Sequence, residues 1–264
     1  LNKAGHVALG VAAGSVLLSF WPSGAITSSV VYILAVAVGS LAPDLDHKTS
    51  TASNLIQLST KNRRFAQSLG SLLLLLAAAL WGLPRLGIEV DEGWVRSAPL
   101  WAAAGAMSFL LAKLRSLVLL GVGALLLAAY AIYDWHWFTA LAGGALLLLP
   151  MVKHRGIIHT PEFALALSVG AYAYAQQSEL WMVQAISMGL IVGWWAHLVG
   201  DLFGREGISS LFSKRVHLAF RLFDNGGIGE RMLAKLCWGV SILCWILLVV
   251  PVSWKIDRLS ALFL

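Results

Sequence analysis

Histidine and aspartate recur in this chain at spacings suited to holding a metal ion. In Trp194-Trp195-Ala196-His197-Leu198-Val199-Gly200-Asp201, His197 and Asp201 stand four apart. That spacing puts both side chains on one face of a helix. His6 follows Gly5 at the head of the first apolar run, and Asp44, Asp46 and His47 close the second in Pro43-Asp44-Leu45-Asp46-His47. His154 and His159 interrupt a later run in His154-Arg155-Gly156-Ile157-Ile158-His159. Ionisable groups at membrane depth are expensive and usually functional. Imidazole nitrogen and carboxylate oxygen without thiolate suit zinc, manganese or iron. A mononuclear catalytic zinc needs three protein ligands. The eight candidates here would also serve two ions about 3.5–4 Å apart, bridged by a carboxylate, an arrangement that activates water against a phosphoester.

Each piece also has a plainer reading. His6 by itself suits an interfacial histidine. Asp44, Asp46 and His47 suit a turn and helix cap after Pro43. His197 and Asp201 could form a packed hydrogen-bonded pair. His154 and His159, five apart, do not share a helix face, so a bend must bring them together. Thr160 as a helix N-cap, with Pro161 in the first turn, supplies one. Arg155 has two readings: a bidentate clamp on a phosphate oxygen, or a topology-setting charge beside Lys153. Glu162 could act as a general acid or favour a helix N-terminus.

The elements that must position these residues are hydrophobic helices. Hydrophobic residues make up 59% of the chain and charged residues 12%, against roughly 25% charged in a soluble domain. Apolar runs fall at about 7–20, 29–42, 66–83, 98–112, 116–133, 137–152, 161–176, 180–199 and 236–253. They predict an all-α, polytopic membrane bundle of seven to nine helices, a single domain over residues 1–264. The runs at 98–112 and 116–133 could form a hairpin that only partly crosses. Trp21, Trp94, Trp135, Trp137, Trp181 and Trp254 lie near run ends, where aromatic belts form. The first run carries His6 and lacks a small-residue cleavage site, so it reads as a retained helix. Cys237 and Cys244, seven apart in one helix, would be about 10 Å apart, too far for a disulfide.

Nine spans with a cytoplasmic N-terminus put 15 Lys and Arg inside and 4 outside. This is a positive-inside pattern, so the net charge of +6 carries no expectation of nucleic-acid binding. The same assignment, made on Lys and Arg alone, places all eight candidate ligands on the inside. After Asp201, residues 208–223 mix Ser213, Lys214, Arg215, His217 and Arg221 with Leu211, Phe212, Val216, Phe220 and Phe223. They read as a basic amphipathic helix on the inner leaflet.

The combination of motifs resembles the YdjM-like family of bacterial inner-membrane proteins, described as membrane-bound metal-dependent hydrolases. The matching pieces are His6-x-x-x-Gly10, Pro43-Asp44-x-Asp46-His47, His154-Arg155-Gly156-x-x-His159-Thr160, His197-x-x-x-Asp201 with its following Gly turn, and Gly229-Glu230. Leu202 stands where the family often has Thr or Ser, and Leu211-Phe212-Ser213 where it has Trp-Pro. The family is in turn distantly similar to zinc-dependent phospholipase C. That similarity implies His6, Asp44, His47, His197 and Asp201 as metal ligands, and the resemblance to the YdjM-like family implies an inner-membrane location. The expectation is a divalent-metal hydrolase, with zinc or alternatively manganese, one to two or more ions. Its substrate would be an amphiphilic phosphate compound, most simply a membrane lipid, met at the cytoplasmic face. The rival expectations are a metal-ion transporter, whose ligands belong near the bilayer midplane, and a membrane scaffold with a closed structural metal.

Overall fold

Hydrophobic periodicity becomes helix almost run for run. The computed structural model describes residues 1–20, 25–46, 56–151, 156–205, 207–213 and 216–249, with backbone alone at Asp46. Among them are nine α-helices: α1 (Lys3–Phe20), α2 (Ile26–Gly39), α3 (Thr60–Gly82), α4 (Glu92–Ala112), α5 (Leu114–Tyr133), α6 (Trp137–Leu148), α7 (Pro161–Gln177), α8 (Trp181–Phe203) and α9 (Ile228–Val249). Six of them, α1, α3, α4, α5, α8 and α9, are long and apolar enough to cross a membrane. The molecule is an all-α membrane helix bundle. At 1.5 Å per residue, α2 and α6 fall short of the ~30 Å hydrocarbon thickness and rely on their neighbours for burial.

Small residues set the helix pairs, as expected where lipid removes the hydrophobic drive between helices. On α8, Gly189 and Gly193 lie against the backbone of α2, and Gly39 of α2 lies against Leu190. Gly70 of α3 meets Gly105 of α4, and Gly123 of α5 meets Gly143 of α6. α1 packs on α2, α8 and α9, and α7 on α6 and α8. α1 and α8 are the most buried of the spans.

Two sequence expectations change here. The runs at 98–112 and 116–133 do not form a partly crossing hairpin. α4 and α5 are each of spanning length, and α4 packs chiefly on α3 while α5 packs on α6. The expected basic interfacial helix is instead a short antiparallel ribbon, β1 (Ile208–Ser209) with β2 (His217–Leu218), closed at its base by a Gly204–Phe223 bridge. Val216, Leu218, Phe220 and Leu222 alternate with His217, Ala219, Arg221 and Phe223, a period of two that belongs to a strand. Gly207 sits at φ 67°, a left-handed conformation that glycine adopts freely and that breaks a helix.

Candidate metal centre

The candidate residues come from helix ends that meet at one end of the bundle. His6 lies in the first turns of α1. Asp44 lies in the 3-10 turn Pro43–Asp46 after α2, His159 in the 3-10 turn Ile157–His159 before α7, and His197 and Asp201 in the last turns of α8. The entry to α7 folds as its residue types require. Thr160 Oγ1 accepts from the Phe163 amide at 3.2 Å, and Pro161 occupies the first turn. Trp194 Nε1 donates to the Ile158 carbonyl at 3.3 Å, which ties the His159 turn to α8.

Five side chains converge. His6 Nε2 is 3.4 Å from Asp201 Oδ1, and His197 Nε2 is 3.5 Å from Asp201 Oδ2. His159 Nε2 is 3.7 Å from Asp44 Oδ1 and 4.0 Å from Asp201 Oδ2, and His197 Nε2 is 3.9 Å from Asp44 Oδ1. The rings of His6 and His197 stack at 3.9 Å. Two triads have ligand atoms within 4.8 Å of one another, His6–His197–Asp201 and Asp44–His159–His197. Both contain His197. Asp201 turns one oxygen to His6 and the other to His197 and His159, the disposition of a bridging carboxylate.

The donor set fits a metal on chemical grounds. The Ser40 carbonyl, one of the last of α2 and so without an intrahelical donor, lies 2.8 Å from His197 Nδ1. A carbonyl only accepts, so Nδ1 carries a proton and Nε2 is the ring nitrogen that faces the carboxylates. That Nε2 is buried and makes no hydrogen bond among the described residues. A ring nitrogen that faces two carboxylates without a hydrogen bond is stabilised by a cation there, and a metal ion between them would supply it. Tetrahedral zinc with bonds of 2.0–2.2 Å places its ligands about 3.3–3.5 Å apart, close to the two shortest separations here. A backbone carbonyl holding the other ring nitrogen is also the usual support of a metal-binding histidine.

Burial is uneven. His197 is 0% exposed, Asp201 1%, His6 2% and His159 4%, whereas the Asp44 side chain is 28% exposed. The cluster therefore meets its surroundings at Asp44. Burial alone would raise the Asp44 carboxyl, but His159, His197 and His6 around it pull it below its ordinary value.

Of the other sequence candidates, His47, His154 and Arg155 lie outside the described residues, as does the Asp46 side chain. Glu162 is not in the cluster. Its carboxylate accepts from Ser210 Oγ and, at 3.1 Å, from the Leu211 amide, so it holds the ribbon as well as favouring the start of α7.

Two further buried charges, Arg115 and Glu230, support the cluster. Arg115, 6% exposed at the start of α5, donates to the Leu45 carbonyl at 2.5 Å, beside Asp44. It reads in sequence, with Lys113, as a topology charge, although a buried arginine at the head of an apolar run needs a polar partner. Glu230 accepts from the Asn2 amide at 2.6 Å and the Gly226 amide at 2.5 Å, fixing the start of α1 one helical turn before His6. Replacing Arg115 by alanine is expected to free the Asp44 turn and weaken metal affinity by roughly 10–100-fold, the range for outer-shell partners, with Arg115→Lys retaining part of it. Metal titration beside a thermal melt checks this. An unchanged affinity with a lowered melting temperature would reduce Arg115 to a packing role.

These features define a class: an all-α membrane protein with a buried histidine–aspartate cluster that could hold a metal ion. Residues 1–114 match the family model described as YdjM inner membrane protein. This is under half of the chain. It carries His6 and the Asp44–His47 motif, while His159, His197 and Asp201 lie beyond it. No curated protein and no solved structure matches the chain.

Proposed function

We propose that this protein is a divalent-metal-dependent hydrolase of phosphoesters, acting on an amphiphilic membrane lipid at the cytoplasmic face. The observation that carries the reading is the pair of triads sharing His197, five ligands gathered from four separate chain segments. Zinc suits the His/Asp donor set and manganese is the alternative. A divalent ion held there would supply Lewis-acid polarisation of a phosphate oxygen and acidify a water. The chain's own residues do the rest. His6, His159, His197, Asp44 and Asp201 would hold the ion, and the Ser40 carbonyl keeps His197 in its Nε2-binding tautomer. Of the five described side chains only Asp44 is substantially exposed, so the phosphate would approach there. Arg155, on its place in the sequence, is the candidate to steady phosphate charge. The cytoplasmic assignment rests on the excess of Lys and Arg in the sequence segments that alternate onto the ligands' side.

Ligands at helix ends rather than at mid-helix breaks argue against a transport pathway. The deep burial of four of the five side chains favours a second reading, a closed structural metal. The test is turnover of extracted phospholipids and isoprenoid phosphates by metal-loaded protein in inside-out and right-side-out vesicles. Water-soluble chelator should abolish turnover only where it reaches the cytoplasmic face. Metal-loaded protein that yields no product from any of these substrates would move the conclusion to the structural metal, and chelator action from the opposite face would reverse the topology.

A further inference from the structure

We propose that the ribbon between α8 and α9 is a membrane-inserting element whose apolar tip, Leu211–Phe212, seats in the lipid leaflet at the metal-centre end of the bundle. Both of its ends are continuous with spanning helices, since α8 runs to Phe203 and α9 starts at Ile228. The ribbon therefore cannot stand far from the bilayer boundary. Its base is bonded to the last turn of α8: the Phe220 amide donates to the Leu202 carbonyl at 2.8 Å and the Leu222 amide to the Phe203 carbonyl at 2.9 Å. Those are carbonyls a helix end leaves without intrahelical donors. Leu202 directly follows Asp201, so the ribbon is anchored beside the cluster.

The tip is presented, not merely exposed. Ser210 and Val216 are held across the turn by the Ser210 amide to the Val216 carbonyl at 3.1 Å and the Val216 amide to the Ser213 carbonyl at 3.0 Å. The Glu162 carboxylate, at the head of α7, fixes the turn through Ser210 Oγ and the Leu211 amide. Large apolar side chains are among those so displayed. Phe212 is 85% exposed, and Leu211, Val216, Leu218, Phe220 and Leu222 are exposed as well. In the sequence this turn also carries Ser213, Lys214 and Arg215, the mix of basic and large apolar residues that suits a lipid surface, and an exposed apolar surface marks an interaction site. Ile228 and Met232, at the start of the spanning helix α9, are also exposed. Two-residue strands leave backbone groups at both edges without ladder partners, which confines the ribbon to the headgroup and acyl boundary, where water and headgroups satisfy them. Aromatic residues favour that depth. The occupant of this surface is thus the protein's own leaflet.

The inference asks nothing of the metal, and its failure would leave the hydrolase reading where it stands. Its test uses the full chain carrying Cys237→Ala and Cys244→Ala, with a nitroxide on a single cysteine introduced as Phe212→Cys, Leu218→Cys or Glu92→Cys. Each is reconstituted in nanodiscs of phosphatidylethanolamine and phosphatidylglycerol, with binding of the lipid read by collision with oxygen and a water-soluble nickel chelate. Position 212 is expected to lose nickel access and gain oxygen access relative to position 92, with position 218 shallower than 212. Glu162→Ala should broaden the depth distribution at 212. Nickel access at 212 equal to that at 92 would overturn the proposal. So would protection at 212 that persists in detergent and accompanies a dimer, because a second copy would then cover the tip.

Discussion

Replacing His197 by alanine is expected to empty the metal centre and leave the bundle folded. His197 belongs to both triads, so its loss removes a ligand from each at once. Outer-shell partners alone are worth roughly 10–100-fold in affinity, so a shared ligand should exceed ~100-fold. Stability reports it independently. An ion that binds only the folded chain adds about 4 kcal/mol when free metal is a thousand times Kd. Chelator should therefore lower the melting temperature of the metal-loaded wild type and leave that of His197→Ala unmoved. The variant also leaves the Ser40 carbonyl without its 2.8 Å partner, at about 1–3 kcal/mol for a buried polar group. That cost is smaller than the loss of the bundle's helix packing. Metal content by elemental analysis, with melts in the presence and absence of chelator, checks the expectation. Full metal occupancy in the variant would remove His197 from the site.

Gly193→Ala should be more damaging, because it acts on the frame that assembles the site. A Cβ at position 193 would lie 2.2 Å from the Val36 carbonyl oxygen, 2.7 Å from the Ser40 amide nitrogen and 2.8 Å from the Gly39 carbonyl carbon. All three are backbone atoms at the end of α2, which cannot step aside as a side chain can. Gly189 makes a similar approach one turn earlier, 2.5 Å from the Tyr32 carbonyl oxygen. Forcing the helices apart costs about 1–3 kcal/mol as overpacking. It also pulls Ser40 from His197 and carries the Asp44 turn away from α8. Stability and metal should fall together, unlike in His197→Ala. Gly239→Ala is the contrast: nothing lies within 4 Å of its added Cβ, so only helix propensity acts, in alanine's favour by up to about 1 kcal/mol. Thermal melts and metal content of both variants test the pair. A wild-type melting temperature for Gly193→Ala would show that the close crossing of α2 and α8 does not hold the site together.

Local chemistry was readable because it is local. The apolar runs had to become helices, since in lipid each backbone amide must be satisfied within its own segment. His197 and Asp201 had to share a face, since a helix turns once in 3.6 residues. Thr160 and Pro161 had to start α7, since both satisfy or lack the donors a helix start leaves over. Residues 208–223 differ between sequence and structure for a related reason. Basic and apolar residues mix there in a way that suits an amphipathic helix. The two-residue alternation from Val216 to Leu222 and the left-handed Gly207 decide for a ribbon instead.

What the sequence by itself determined is therefore the class of the molecule, a bundle of membrane helices with histidine and aspartate at their ends, and one pair of neighbours within it. Only the tertiary structure decided which of those ends meet. His6 reaches Asp201, and His159 reaches Asp44, because small residues let the helices close. Gly200 leaves room for the His6 ring, and Gly39, Gly189 and Gly193 let α2 lie against α8. Arg115 and Glu230 acquired their roles in the same way, as charges whose partners are backbone groups far along the chain. A sequence states that a charge exists; the packing of helices against one another fixes the buried group it must satisfy.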